Sequence, residues 1–275
     1  MDVVCSVTVA PHLEHILPTA EPVWGIASLD DQLYVLRNQL ADQVEVCDIP
    51  NYALQGHLPV PKLRGRADMA SSSKYHCLYL VDCVARNVHQ VQVKTGTSTT
   101  WPVHDEPWGI SVSSSNDIVI SCDEACKFKI FSPTGNLLRE ILLYPDVMNP
   151  CHVVETVDKN FVLCHGAETD TVRGVCLIAA DGRPGKSYSE NVEGKMINPS
   201  HLAVDRDGFV FVADATGTVL MLSPQLGYMC EVASPGTGIH WKPWRLCIAG
   251  QRLYVAYNEF ADGKWTAGRV NVFEL

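Results

Sequence analysis

One short pattern returns along the whole chain and constrains its fold more than any other feature. Pro107-Trp108-Gly109-Ile110-Ser111-Val112, Pro150-Cys151-His152-Val153-Val154-Glu155, Pro199-Ser200-His201-Leu202-Ala203-Val204 and Pro243-Trp244-Arg245-Leu246-Cys247-Ile248 open four successive units. Trp24-Gly25-Ile26-Ala27-Ser28 matches them near the start, and a degenerate copy, Ala67-Asp68-Met69-Ala70-Ser71, fills the remaining gap. The equivalent positions Gly25, Asp68, Gly109, His152, His201 and Arg245 are 43, 41, 43, 49 and 44 residues apart. A second register agrees with the first. Each unit carries a β-rich run ending in a polar residue, and those end residues, Asn38, Asp82, Asp123, His165, Asp214 and Asn258, are 44, 41, 42, 49 and 44 apart. Internal repetition at this period means one supersecondary unit repeated, not a collection of independent domains.

Within a unit, alternating strands are separated by turn dipeptides such as Ser132-Pro133, Asp181-Gly182 and Ser223-Pro224. No segment holds a helical period. Four short strands per forty-odd residues predict an all-β, six-bladed β-propeller with four-stranded antiparallel blades, folded as a single domain. The blades are expected at roughly 22–61, 63–105, 106–147, 149–195, 197–238 and 240–275, the last completed by 3–20. The sixth unit stops after its third strand, at Val272-Phe273-Glu274-Leu275. His12-Leu13-Glu14-His15-Ile16-Leu17 is the segment placed to supply the fourth, so that the two ends of the chain close the ring and remove its exposed edges. Residues 1–10 are then one strand in surplus.

Composition limits function. A net charge of −10, with the densest basic group only Lys62, Arg64 and Arg66, opposes binding to phosphate backbones and to anionic membranes. Met1-Asp2-Val3-Val4-Cys5 has no basic or apolar leader character, and no stretch is long and apolar enough to span a bilayer. Eleven cysteines, an odd number with no Cys-x-x-Cys pair, fit reduced thiols. The expectation is a cytoplasmic monomer.

The repeats resemble the NHL family, most closely at Asn198-Pro199-Ser200-His201-Leu202-Ala203-Val204-Asp205-Arg206-Asp207-Gly208-Phe209-Val210-Phe211-Val212-Ala213-Asp214, and the resemblance covers essentially the whole chain. It implies a fold more than a function. NHL propellers include the partner-binding domains of TRIM-type ubiquitin ligases, RNA-binding domains with a basic face and, more distantly, a zinc-dependent amidating lyase. In that lyase the zinc-binding histidine directly follows the proline, whereas His152 and His201 stand one residue later, which in a β-strand is the opposite face.

Three sets of residues are candidates for chemistry. The innermost strands place Gly25, Asp68, Gly109, His152, His201 and Arg245 at one height around the axis. His152 and His201, joined by His165 from the second register, make three imidazoles of the kind that hold zinc or another divalent metal. The competing reading has the histidines bonding neighbouring blades, and the polar residues of the second register capping turn amides. Trp24, Trp108 and Trp244, with Arg245 and Asp68, have the composition of a partner-binding hot spot. Their alternative is packing between blades, since each tryptophan stands two residues before Ile26, Ile110 or Leu246 and is expected on the same strand face. Cys164-His165 beside Cys151-His152 offers a thiolate–imidazole pair, against ordinary packing of small apolar side chains. From the fold and the absence of a catalytic motif, the expected function is a non-catalytic protein- or peptide-binding scaffold without a cofactor. The alternatives are a metal-dependent lyase or hydrolase and, third, RNA binding.

Overall fold

The computed structural model describes residues 11–37, 42–123, 125–166, 172–190, 197–233 and 240–275. Its strands form six four-stranded antiparallel sheets, and among the described residues there is no helix. Five blades take their four strands consecutively from the chain. The sixth joins Trp241–Ala249, Arg252–Ala261 and Lys264–Glu274 to His12–Ile16 from the other end, with His12 opposite Glu274 and Ile16 opposite Asn271. The innermost strands Val23–Leu29, Ala67–Ser72, Pro107–Val112, Pro150–Glu155, Pro199–Val204 and Trp241–Ala249 each touch the next, and the last touches the first, so the ring is closed. Residues 1–10 and Asn38 lie outside the described residues.

Burial follows position in the blade. Second strands are sandwiched on both faces and are apolar up to a polar end residue, as in Cys77–Asp82 and Val210–Asp214, where every residue is buried. Outermost strands such as Leu137–Leu142 stand largely in solvent. Between adjacent blades lie apolar layers. Trp24, Leu36, Leu58, Met69 and Leu78 fill the one between blades one and two; Val23, Ile26, Val35, Tyr254 and Val270 fill the one between blades six and one. The polar residues that end the second strands cap backbone. Asp82 accepts from the amides of Arg64 and Ala85, Asp214 from those of Asn198 and Thr216, and Asn258 bonds both the amide and the carbonyl of Val23.

A feature absent from the repeat pattern sets the geometry of the axis. In blades one, three, four, five and six the innermost strand holds one extra residue against its partner. Pro150 faces His165 but His152 faces Cys164; Val23 faces Arg37 but Gly25 faces Leu36. The same shift occurs after Pro107, Pro199 and Pro243. Each is a β-bulge, which breaks the two-residue alternation of side chains. Blade two has none, and Ala67–Ser72 pairs in unbroken register with Cys77–Asp82.

The bulge corrects two expectations. Trp24 packs in the layer with Ala27 and Leu36, whereas Ile26 packs in the layer toward blade six, so they occupy opposite faces. Trp244 and Leu246 likewise contact different layers. The strict face parity applied to His152 and His201 does not hold either, because the extra residue falls between the proline and the histidine.

Candidate functional site

Side chains from four blades meet on the axis: Asp68, His152, His201 and Arg245, all buried. Two glycines make the room. A Cβ on Gly109 would stand 2.4 Å from the carbonyl oxygen of Cys151 and 2.8 Å from Cδ2 of His152, and one on Gly25 would stand 2.9 Å from Cβ of Met69. Asp68 is the hub. Its Oδ2 accepts the amide of Ile110 at 3.0 Å, and its Oδ1 accepts the amide of Met69 and lies 2.9 Å from Nε of Arg245. Arg245 donates further to the carbonyls of Trp24, Trp244 and Ala67. The rings of His152 and His201 stack with centroids 3.7 Å apart, their Nε2 atoms 3.7 and 3.4 Å from Asp68 Oδ2. The network therefore touches all six blades.

Backbone partners fix both tautomers. His152 Nε2 lies 3.2 Å from the carbonyl of Ile110, which only accepts, so this nitrogen carries the proton. His201 Nδ1 accepts the amide of Leu246, so its proton is also on Nε2. Among the described residues, two buried ring nitrogens of the cluster have no hydrogen-bond partner: His152 Nδ1, which keeps its lone pair, and His201 Nε2, whose proton faces Asp68 Oδ2 at 3.4 Å. Burial, with His201 as the next cause, lowers the His152 pKa to about 3, and burial also lowers that of His201. Both rings are neutral. Burial works to raise the Asp68 pKa, but Arg245 first and then the histidines overcome it, and the carboxyl is held well below its ordinary range.

Asp68, His152 and His201 each bring a ligand atom within 4.8 Å of the others. Their 3.4 and 3.7 Å separations are near the roughly 3.3 Å edge of a tetrahedral zinc site with ligands at about 2.0 Å. Two observations oppose a cation there: both facing nitrogens carry protons rather than lone pairs, and Arg245 already neutralises the single carboxylate. The donor set suits a proton network better than a divalent ion. His165 lies outside this group, and the third member is Asp68.

The tryptophans divide. Trp24 is 2% exposed and belongs to the core, edge-on to the half-buried Trp244 with centroids 5.8 Å apart. Trp108 stands apart, under the guanidinium of Arg66. Cys164 is buried, and burial together with Cys151 raises its pKa, so it is a thiol rather than a thiolate. Sequence reasoning placed the second and third strands of blade six at Leu253–Asn258 and Arg269–Phe273 and missed their extension into a longer hairpin, Arg252–Ala261 and Lys264–Glu274, which carries Phe260 and Trp265. The Asp262-Gly263 dipeptide signalled it: both residues have positive φ, as a two-residue hairpin turn requires.

No family model matches the chain, and no curated protein matches it in sequence. Solved structures do match it in fold. A streptogramin B lyase superposes with a TM-score of 0.65 at 13% identity, over 93% of this chain and 94% of its own. Virginiamycin B lyase from Staphylococcus aureus gives 0.65 at 11% identity, over 95% and 100%; one of its structures is a catalytically inactive histidine-to-alanine variant with quinupristin. Hydrazine synthase from Kuenenia stuttgartiensis gives 0.61 at 14% identity, over 97% and 98%. The six-bladed propeller is thereby established. The expectation of a non-catalytic binding scaffold is overturned with it: that expectation rested on the fold, and the fold is shared with enzymes.

Proposed function

We propose that the protein is a lyase-type enzyme whose acid–base centre is the axial cluster, with His152 as proton acceptor. The observation that carries this reading is His152 Nδ1, a buried lone pair without a donor among the described residues, on a ring whose other nitrogen is anchored to Ile110. A neutral imidazole accepts a proton; the carboxylate 3.7 Å from its Nε2 then stabilises the imidazolium, the part an aspartate plays beside a catalytic histidine. Arg245 holds that carboxylate in place and ionised. An elimination needs a base and an acid but no nucleophile. The His152 imidazolium formed in the first step returns its proton to the leaving group, and no step needs the Cys164 thiol. The lyases that share the fold support this reaction class over hydrolysis.

The test is incubation with quinupristin, followed by mass spectrometry. Products whose summed mass equals that of the substrate support elimination; products carrying an added water make the protein a hydrolase. His152→Ala should lower the rate by about 100-fold or more. An inert wild type across quinupristin and a panel of related antibiotics would remove the reading. Zinc retained at one ion per chain after purification without chelators, and lost in the His152→Ala/His201→Ala protein, would replace the proton network by a metal-dependent lyase.

Assignment of the repeats to the NHL type belongs to the same proposal, supported by the run from Pro199 to Asp214. A cytoplasmic location is supported by the free thiols of the ten described cysteines, and a monomer by the closed sheet edges.

A further inference from the structure

Blade six rises above the others. Its three C-terminal strands have 9, 10 and 11 residues, where the strands of the other blades have 4 to 7. Asn258 stands where the second strands of the other blades end, so the three residues beyond it carry the hairpin roughly 10 Å past that face. Along one side runs a continuous aromatic series. Trp24 meets Trp244 at 5.8 Å, Trp244 meets Trp265 at 5.2 Å, and Trp265 meets Phe260 at 4.9 Å between centroids. It begins in the core and ends at Phe260, which is 36% exposed.

This series has a charge of its own. The ammonium of Lys242 lies 5.7 Å from the Phe260 centroid and the guanidinium of Arg245 lies 5.1 Å from that of Trp244. Arg245 is committed to Asp68, but Lys242 forms no ion pair among the described residues. The carboxylate of Glu259, on the adjacent strand, accepts the hydroxyl of Thr266 at 2.7 Å and makes no ion pair with Lys242. The indole N–H of Trp244 is buried and has no acceptor among the described residues. A flat aromatic surface with a cation beside it is complementary to a planar ring bearing an anionic group. On a chain of net charge −10 the attraction for such an anion has to be local, and Lys242 supplies it.

We propose that this side of the blade-six hairpin binds small aromatic carboxylates, the ring against Trp265 and Phe260 and the carboxylate on Lys242. The site is independent of the acid–base reading of the axis, and its test measures binding alone. The probe is 2-naphthoate, titrated calorimetrically into the full chain, with neutral 2-naphthamide as comparator. Naphthoate should bind at least about tenfold more tightly than the amide at low salt, and the gap should close as salt is raised. Lys242→Gln should bring naphthoate down to the affinity of the amide. Trp265→Ala should weaken both ligands by about tenfold and Trp265→Phe should recover most of the loss. His152→Ala should bind like wild type. If Trp265→Ala melts early, Phe260→Ala serves in its place. No binding of naphthoate at millimolar concentration, equal affinities for the two ligands, or unchanged affinity in the tryptophan and phenylalanine variants would each overturn the proposal.

Discussion

Blade two and its five counterparts build the same innermost strand in two ways. In the five, a bulge follows the opening residue and crowds the axis with backbone, glycine and ring. In blade two the strand runs straight, Ala67 opposite Asp82 and Asp68 opposite Val81, and it delivers a carboxylate. The copy that departs most from the repeat is the one on which the others converge. Local consistency is what makes a fold, and the place where a repeat breaks its own rule is where a specific role is to be sought.

The most severe way to break the contrast is to remove the hub. Asp68→Ala leaves Arg245 buried without its partner and should cost about 3–5 kcal/mol in urea unfolding. The double replacement Asp68→Leu/Arg245→Met should cost much less than the sum of the single changes, because it buries no unpaired charge. Additive losses would mean that the two residues act separately. Next comes Gly109→Ala. Its Cβ would meet backbone of blade four as well as the His152 ring, so the expected loss is about 1–3 kcal/mol, visible as a lower Tm.

Acid should then separate the hub from the rest of the structure. The His152 pKa falls from its ordinary 6.5 to about 3 on folding, so between these values the unfolded chain binds the extra proton. The stabilisation is complete above about pH 6.5 and is lost as the pH falls toward 3, at up to about 1.4 kcal/mol per pH unit for one group. His201 is shifted in the same direction, and Asp68, held below its ordinary range, adds a loss at still lower pH. Wild type and His152→Gln should therefore differ less in urea midpoint at pH 5 than at pH 7. A constant difference would mean that His152 is not held neutral. The smallest effect belongs to the turn far from the axis: Gly263→Ala, at φ +76°, should cost about 1 kcal/mol and leave the acid response unchanged.

The repeat period made the ring, the strand count per blade and the closing strand legible from residues alone. It also placed Asp68, His152, His201 and Arg245 at one height. The bulge was not legible, because one extra residue within a strand leaves the hydrophobic pattern after it intact while reversing the face before it. That single residue sent Trp24 to the layer opposite Ile26. The set of axial contacts was misjudged for a related reason. Register placed His165 beside the other histidines, but reach across the axis is a three-dimensional property, and the carboxylate of the degenerate copy was nearer. The tautomers were beyond sequence altogether, since they depend on which backbone atoms of Ile110 and Leu246 face each ring.

The strand that closes blade six has a consequence for synthesis. His12–Ile16 is synthesised about 250 residues before its partner, Lys264–Glu274. At cellular elongation rates the early strand waits on the order of tens of seconds, holding Leu13 and Ile16 on an unpaired edge. A chain cut short before Lys264–Glu274 leaves His12–Ile16 without its pairing strand. Such a product keeps an unpaired strand edge, an adhesive template that closure of the ring removes.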